Sequence, residues 1–148
     1  MVNTSTFLKL MAQISLNIPD ELLQQVTHSG KNPTDFFQER LAELSSSLES
    51  SDALAQKFKA LASRWRQETR HHSLMNDIVL NPAYQQIIGM GAPAVPLILQ
   101  DLKRQPDHWF WALRSITGTN PIQPVDRGRL PQMAAAWLQW GKEHGYQF

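Results

Sequence analysis

Gln13-Ile14-Ser15-Leu16-Asn17-Ile18-Pro19-Asp20-Glu21-Leu22-Leu23 is the stretch on which the reading of the fold turns. From Gln13 to Ile18 polar and apolar residues alternate strictly. An extended backbone therefore puts Ile14, Leu16 and Ile18 on one face and Gln13, Ser15 and Asn17 on the other. It is the only clear strand signal in the sequence. Pro19 then suits a first helical turn, and Asp20 and Glu21 suit the positive end of a helix. Leu22, Leu23 and Val26 supply an apolar face before Gly30.

Working outward, Asn32 is a capping residue and Pro33 fits the first position of a second helix, along which Phe37, Leu41, Leu44 and Leu48 recur at helical spacing. Serines at 45–47 and 50–51 are expected to fray this helix into a linker. A further amphipathic helix is expected from about Asp52 to His72, with Leu54, Phe58, Leu61 and Trp65 on its packing face and Lys57, Lys59, Arg64, Arg66 and Arg70 around it. Helical stretches follow at Pro82 to Ile88, Pro93 to about Lys103, Asp107 to Ile116, and Pro131 to about His144, each bounded by Pro or Gly. Trp109, Trp111, Trp137 and Trp140 read as core staples.

A lone strand needs a partner for its backbone groups, and a second copy of the chain can supply it. On these grounds Gln13 to about Leu44 resembles the ribbon-helix-helix family of repressors and antitoxins. The resemblance implies a homodimer with Ile14, Leu16, Ile18, Phe37 and Leu41 in its shared core. It also implies base reading in the DNA major groove by Gln13, Ser15 and Asn17. Lys31, Asn32 and Thr34, at the start of the second helix, would by the same resemblance seat phosphate. Gly91 to Leu102 with His108 to Gly118 is similar to helices of a HEAT-type repeat, a class that binds proteins.

Charge divides the chain unevenly. Residues 1–51 hold three cations against six carboxylates, net −3, and the expected reading strand carries no Arg or Lys. Residues 52–72 hold five cations against two carboxylates, net +3. An acidic reader needs help from Lys9, Lys31 or the basic helix, and the alternative is a platform that only dimerises.

The absence of cysteine excludes disulfides and thiol chemistry and fits a reducing cytoplasm. The longest apolar run, Ile87 to Leu99, is too short and too interrupted by Gly and Pro to span a bilayer. The five histidines show no metal-ligand spacing, no nucleotide or nucleophile motif is present, and neither cofactor nor metal is expected. The polar segments Thr117 to Pro121 and Arg127-Gly128-Arg129 suit an anion but read more simply as connections, with no role assigned.

The resulting expectation is a mainly α, non-enzymatic, cytoplasmic protein with four parts. These are an extension over 1–11, a ribbon-helix-helix dimerisation unit over 12–51, a basic linker helix over 52–72 and a small HEAT-like helical bundle over 73–148. Its expected function is antitoxin-like or autorepressive DNA binding, with the C-terminal part engaging a protein partner such as a toxin. The alternative is an adaptor subunit that reads no DNA.

Overall fold

The computed structural model describes residues 20–30 and 32–148, and the chain divides into two units, Met1–Leu48 and Glu49–Phe148. The described residues are mainly α-helical, as expected.

The first unit contains helix α1 (Asp20–Ser29) and the start of helix α2 (Pro33–Thr69). Gly30 ends α1 with φ at 62°, a left-handed conformation that costs glycine little. Asn32 caps α2 as expected: its side-chain oxygen accepts a hydrogen bond from the Thr34 amide at 3.1 Å. Phe36 and Phe37 meet edge to face at 5.8 Å between ring centres, and Arg40 pairs with Glu43 at 3.0 Å. Further along, Leu41, Leu44 and Leu48 are 63%, 61% and 67% exposed.

Two expectations are corrected here. The serines do not end the helix: α2 runs unbroken for 37 residues through all of them. Serine costs only about 0.5 kcal/mol per residue relative to alanine in a helix, so five of them weaken α2 without breaking it. The ribbon-helix-helix resemblance does not hold either. The described residues form helices and no strand, and the second helix continues far past the compact unit that the resemblance implied. Gln13, Ile14, Ser15, Leu16, Asn17, Ile18 and Lys31 lie outside the described residues.

The second unit holds the last turns of α2 together with α3 (Met75–Val79), α4 (Pro82–Gly89), α5 (Ala94–Arg104), α6 (Phe110–Thr117) and α7 (Leu130–Glu143). A short 3-10 turn, Pro124–Asp126, lies between the last two helices. The starts are local chemistry. Asn81 accepts from the amides of Ala83 and Tyr84 at the head of α4, and Pro131 sits in the first turn of α7. α4 packs on α6 and α5 packs on α7, which buries Ile87, Val95, Ile98, Leu99, Leu102 and Leu113 completely.

The centre of this unit is aromatic. Trp65 of α2, Tyr84 of α4 and Trp109 at the head of α6 lie 4.5 to 5.5 Å apart, ring centre to ring centre, and Phe58 joins Trp109 at 5.6 Å. Each polar tip of these three rings is satisfied, as most buried polar groups are. Trp65 donates to the Ile78 carbonyl at 3.0 Å and Trp109 to the Asp101 carboxylate at 2.9 Å. The Tyr84 hydroxyl donates to the His108 carbonyl at 2.7 Å and accepts from the Ala112 amide at 3.0 Å. Burial pushes the Tyr84 phenol well up from its ordinary value, so it stays neutral.

Beside this cluster Arg66 is part-buried. It bonds Asp101, and reaches Asp107 at 2.9 Å, while Arg104 reaches the other oxygen of Asp101 at 2.7 Å. Burial alone raises the Asp101 carboxyl, but the hydrogen bonds from Arg66, Trp109 and Arg104 outweigh it and hold the group below its usual range. Burial likewise pulls the Arg66 guanidinium down, and its two carboxylate partners more than restore it. Among the described residues, no helix is long and apolar enough to cross a membrane.

Candidate functional site

Trp109 and Trp111 are two residues apart at the head of α6, and two helical steps are about 200° of rotation. Both cannot face one core. Trp109 is fully buried, whereas Trp111 is 52% exposed, so the expectation that all four C-terminal tryptophans are core staples is corrected at Trp111. Trp111 lies instead on the wall of a groove of about 460 Å³ contained within the second unit.

The local sequence explains how the groove is shaped. Gly118 closes α6 with φ at 70° and returns its amide to the Arg114 carbonyl at 2.9 Å. Asn120 then accepts from the Ile122 amide at 3.4 Å, a side-chain turn that brings Ile122 inward to 9% exposure. After the 3-10 turn the Arg129 amide bonds the Asp126 carbonyl at 3.0 Å, and the chain enters α7 at Leu130. The wall is thus α6, the loop that follows it and the first turn of α7, with Met75 of α3 completing the rim.

The apolar lining is Met75, Phe110, Trp111, Ile122, Leu130 and Met133. The polar lining is His108, Arg114, Asn120 and Arg127, and no Asp or Glu is among the lining residues. Arg114 and Arg127 are exposed, and among the described residues neither guanidinium has a hydrogen-bond or ion-pair partner. The His108 ring is likewise unpartnered among the described residues, although its backbone carbonyl holds Tyr84. A half-enclosed apolar trough beside two free guanidinium groups is suited to bind an apolar group next to an anion. It holds no acid–base pair already in contact.

Of the residues named from sequence for phosphate and dimer contacts, Asn32, Thr34, Phe37 and Leu41 fall within the described part of the first unit. The Thr34 amide donates to the Asn32 side chain at 3.1 Å. Phe37 is half-buried, while Leu41 is exposed. Sequence reasoning passed over Trp111, Arg114 and Arg127. The spacing of Trp109 and Trp111 carried a signal for the first. Arg127 lay in the polar segment weighed for an anion and then left without a role.

No protein-family model matches the chain, no curated protein matches it, and no solved structure matches it. Neither the ribbon-helix-helix resemblance nor the HEAT-type one has a family match behind it.

Proposed function

We propose that this chain is a non-catalytic interaction module whose C-terminal unit takes a short apolar segment of a partner protein into the groove beneath Trp111. This is the adaptor reading rather than the operator-reading one, whose base contacts depended on the ribbon. One observation carries it: a large aromatic side chain half-exposed on the wall of an apolar trough, in a unit that buries its other tryptophans to 8% exposure or less.

Tryptophan, methionine and arginine together are the residue types enriched where proteins meet, and exposed apolar surface gathered at a concavity marks binding rather than chance exposure. Leu74, beside Met75 in sequence, and Val125, between Ile122 and Arg127, are also exposed, at 68% and 70%. The His108 ring supports binding over catalysis, because no described residue bonds it to fix its tautomer.

The test is selection of a random peptide library on the full-length chain, with each enriched peptide measured again on Trp111→Ala. Trp111 is 52% exposed and makes no hydrogen bond among the described residues, so the variant should retain the wild-type melting temperature. Peptides that bind the wild type and lose about tenfold or more in affinity on the variant support the reading. A library that yields no binder, or binders indifferent to Trp111, ends it.

A further inference from the structure

The groove's charge is one-sided. Elsewhere in this unit the part-buried Arg66 is matched by Asp101 and Asp107, the exposed Arg104 by Asp101 and the exposed Arg64 by Glu68 at 2.7 Å. Arg114 and Arg127 have no carboxylate partner among the described residues. They approach the trough from α6 and from the loop before α7, and the carboxylates of the unit lie elsewhere than on its lining.

We infer that the occupant is an acidic peptide segment, with one large apolar side chain seated among Phe110, Ile122 and Met133 and carboxylates on its flanks held by Arg114 and Arg127. The inference rests on the interaction reading above and adds the chemistry of the partner. Guanidinium groups favour carboxylates because their planar donors match two acceptor oxygens at once, and such charge-assisted bonds are about twice as strong as neutral ones. Two cations on one lining also constrain the spacing of the carboxylates that can meet both.

A nucleic acid offers the same negative charge but fits less well. Its affinity grows with the number of phosphates neutralised, and two arginines beside a floor of Phe110, Ile122, Leu130 and Met133 present few charges and much surface that phosphate avoids. An apolar side chain with neighbouring carboxylates satisfies both halves of the lining.

The experiment uses the peptides selected on the full-length chain from a random twelve-residue library. Their sequences are read for Asp and Glu beside a large apolar residue, and their affinities are measured by anisotropy on wild type, Arg114→Gln, Arg127→Gln and Trp111→Ala. Both arginines are exposed and have no partner among the described residues, so the neutral variants should keep the wild-type melting curve, which is checked first. The expected result is enrichment of acidic-apolar sequences, with affinity falling about tenfold for each arginine removed and falling again in high salt.

Binders that need Trp111 but show no acidic preference, and no change in either arginine variant, overturn the partner chemistry while leaving the interaction reading intact. An absence of Trp111-dependent binders overturns both. As a control, a twelve-nucleotide single strand is titrated under the same conditions; binding tighter than that of the peptides and dependent on Arg114 and Arg127 would assign the groove to nucleic acid and also overturn the proposal.

Discussion

The two ends of α2 carry one pattern and meet different fates. Near its start Phe37, Leu41, Leu44 and Leu48 follow one another at intervals of four, three and four. Near its end Phe58, Ala62, Trp65 and Thr69 do the same. The leucines of the first set are 61 to 67% exposed, whereas all four residues of the second are at 9% or less. Spacing therefore identifies a face and does not say what covers it. The difference lies in what meets each face. The second set meets Tyr84 and Trp109, a ring-to-ring contact of 4.5 Å and a carbonyl placed to accept the Trp65 indole. Burial follows from those partners, which come from segments distant in sequence.

The strongest way to break the comparison is Trp65→Ala. The substitution removes a side chain that is 1% exposed, leaves the Ile78 carbonyl without its donor and opens a cavity against Trp109 and Tyr84. The expected cost is about 3–5 kcal/mol, read as a lower midpoint in urea unfolding followed by circular dichroism. A loss below about 1 kcal/mol would mean that the buried end of α2 is no better anchored than the exposed one.

Asp101→Asn sharpens the same contrast through charge. With Asp101 ionised, Arg66, Arg104 and Trp109 all donate to it, and the substitution leaves the partly buried Arg66 with one carboxylate partner fewer. The expected loss at neutral pH is about 1–3 kcal/mol, at the low end for buried pairs because Arg66 keeps Asp107 and some solvent. The carboxyl is held below its usual value in the folded protein. Its contribution is therefore complete above the unfolded-state value near 4 and disappears as pH falls through the lower folded-state value. Urea midpoints of wild type and variant should accordingly differ at pH 7 and converge on acidification below about pH 4; a gap unchanged by pH would show that the loss is one of packing rather than charge.

How much of this was legible in the sequence follows the same division between local and distant causes. The helices beginning at Pro82 and near Pro93 and Pro131 were readable to within a residue or so, because Pro, Asn and Gly at their ends act on the adjacent backbone. The burial of Phe58 and Trp65 was readable too, since their face is apolar and aromatic. The serines of α2 lower its propensity without ending it, so they mark no boundary. The alternation from Gln13 to Ile18 invited a family resemblance that the helical structure and the comparisons do not bear out. The groove was the least legible part. It gathers Met75, Trp111, Arg114, Ile122, Arg127 and Met133 from three helices and a loop, and no local pattern in the sequence records that meeting.

The smallest expected effect is the sharpest test of the exposed end. Leu44 sits at 61% exposure in the middle of its stripe, with Leu41 and Leu48 on either side. Leu44→Gln keeps a similar helix propensity while replacing the apolar tip with an amide, so the main loss is apolar contact. If the stripe meets water, the urea midpoint should move by less than about 0.5 kcal/mol equivalent, as for surface positions generally. The measurement is repeated across a wide range of protein concentration, because a face covered only in an assembly stabilises the chain in a concentration-dependent way. A concentration-independent midpoint, unmoved by Leu44→Gln, would make the exposed leucines a property of the single chain. A midpoint that rises with concentration in the wild type and not in the variant would show that the two ends of α2 share a fate after all, one covered by its own chain and the other by another.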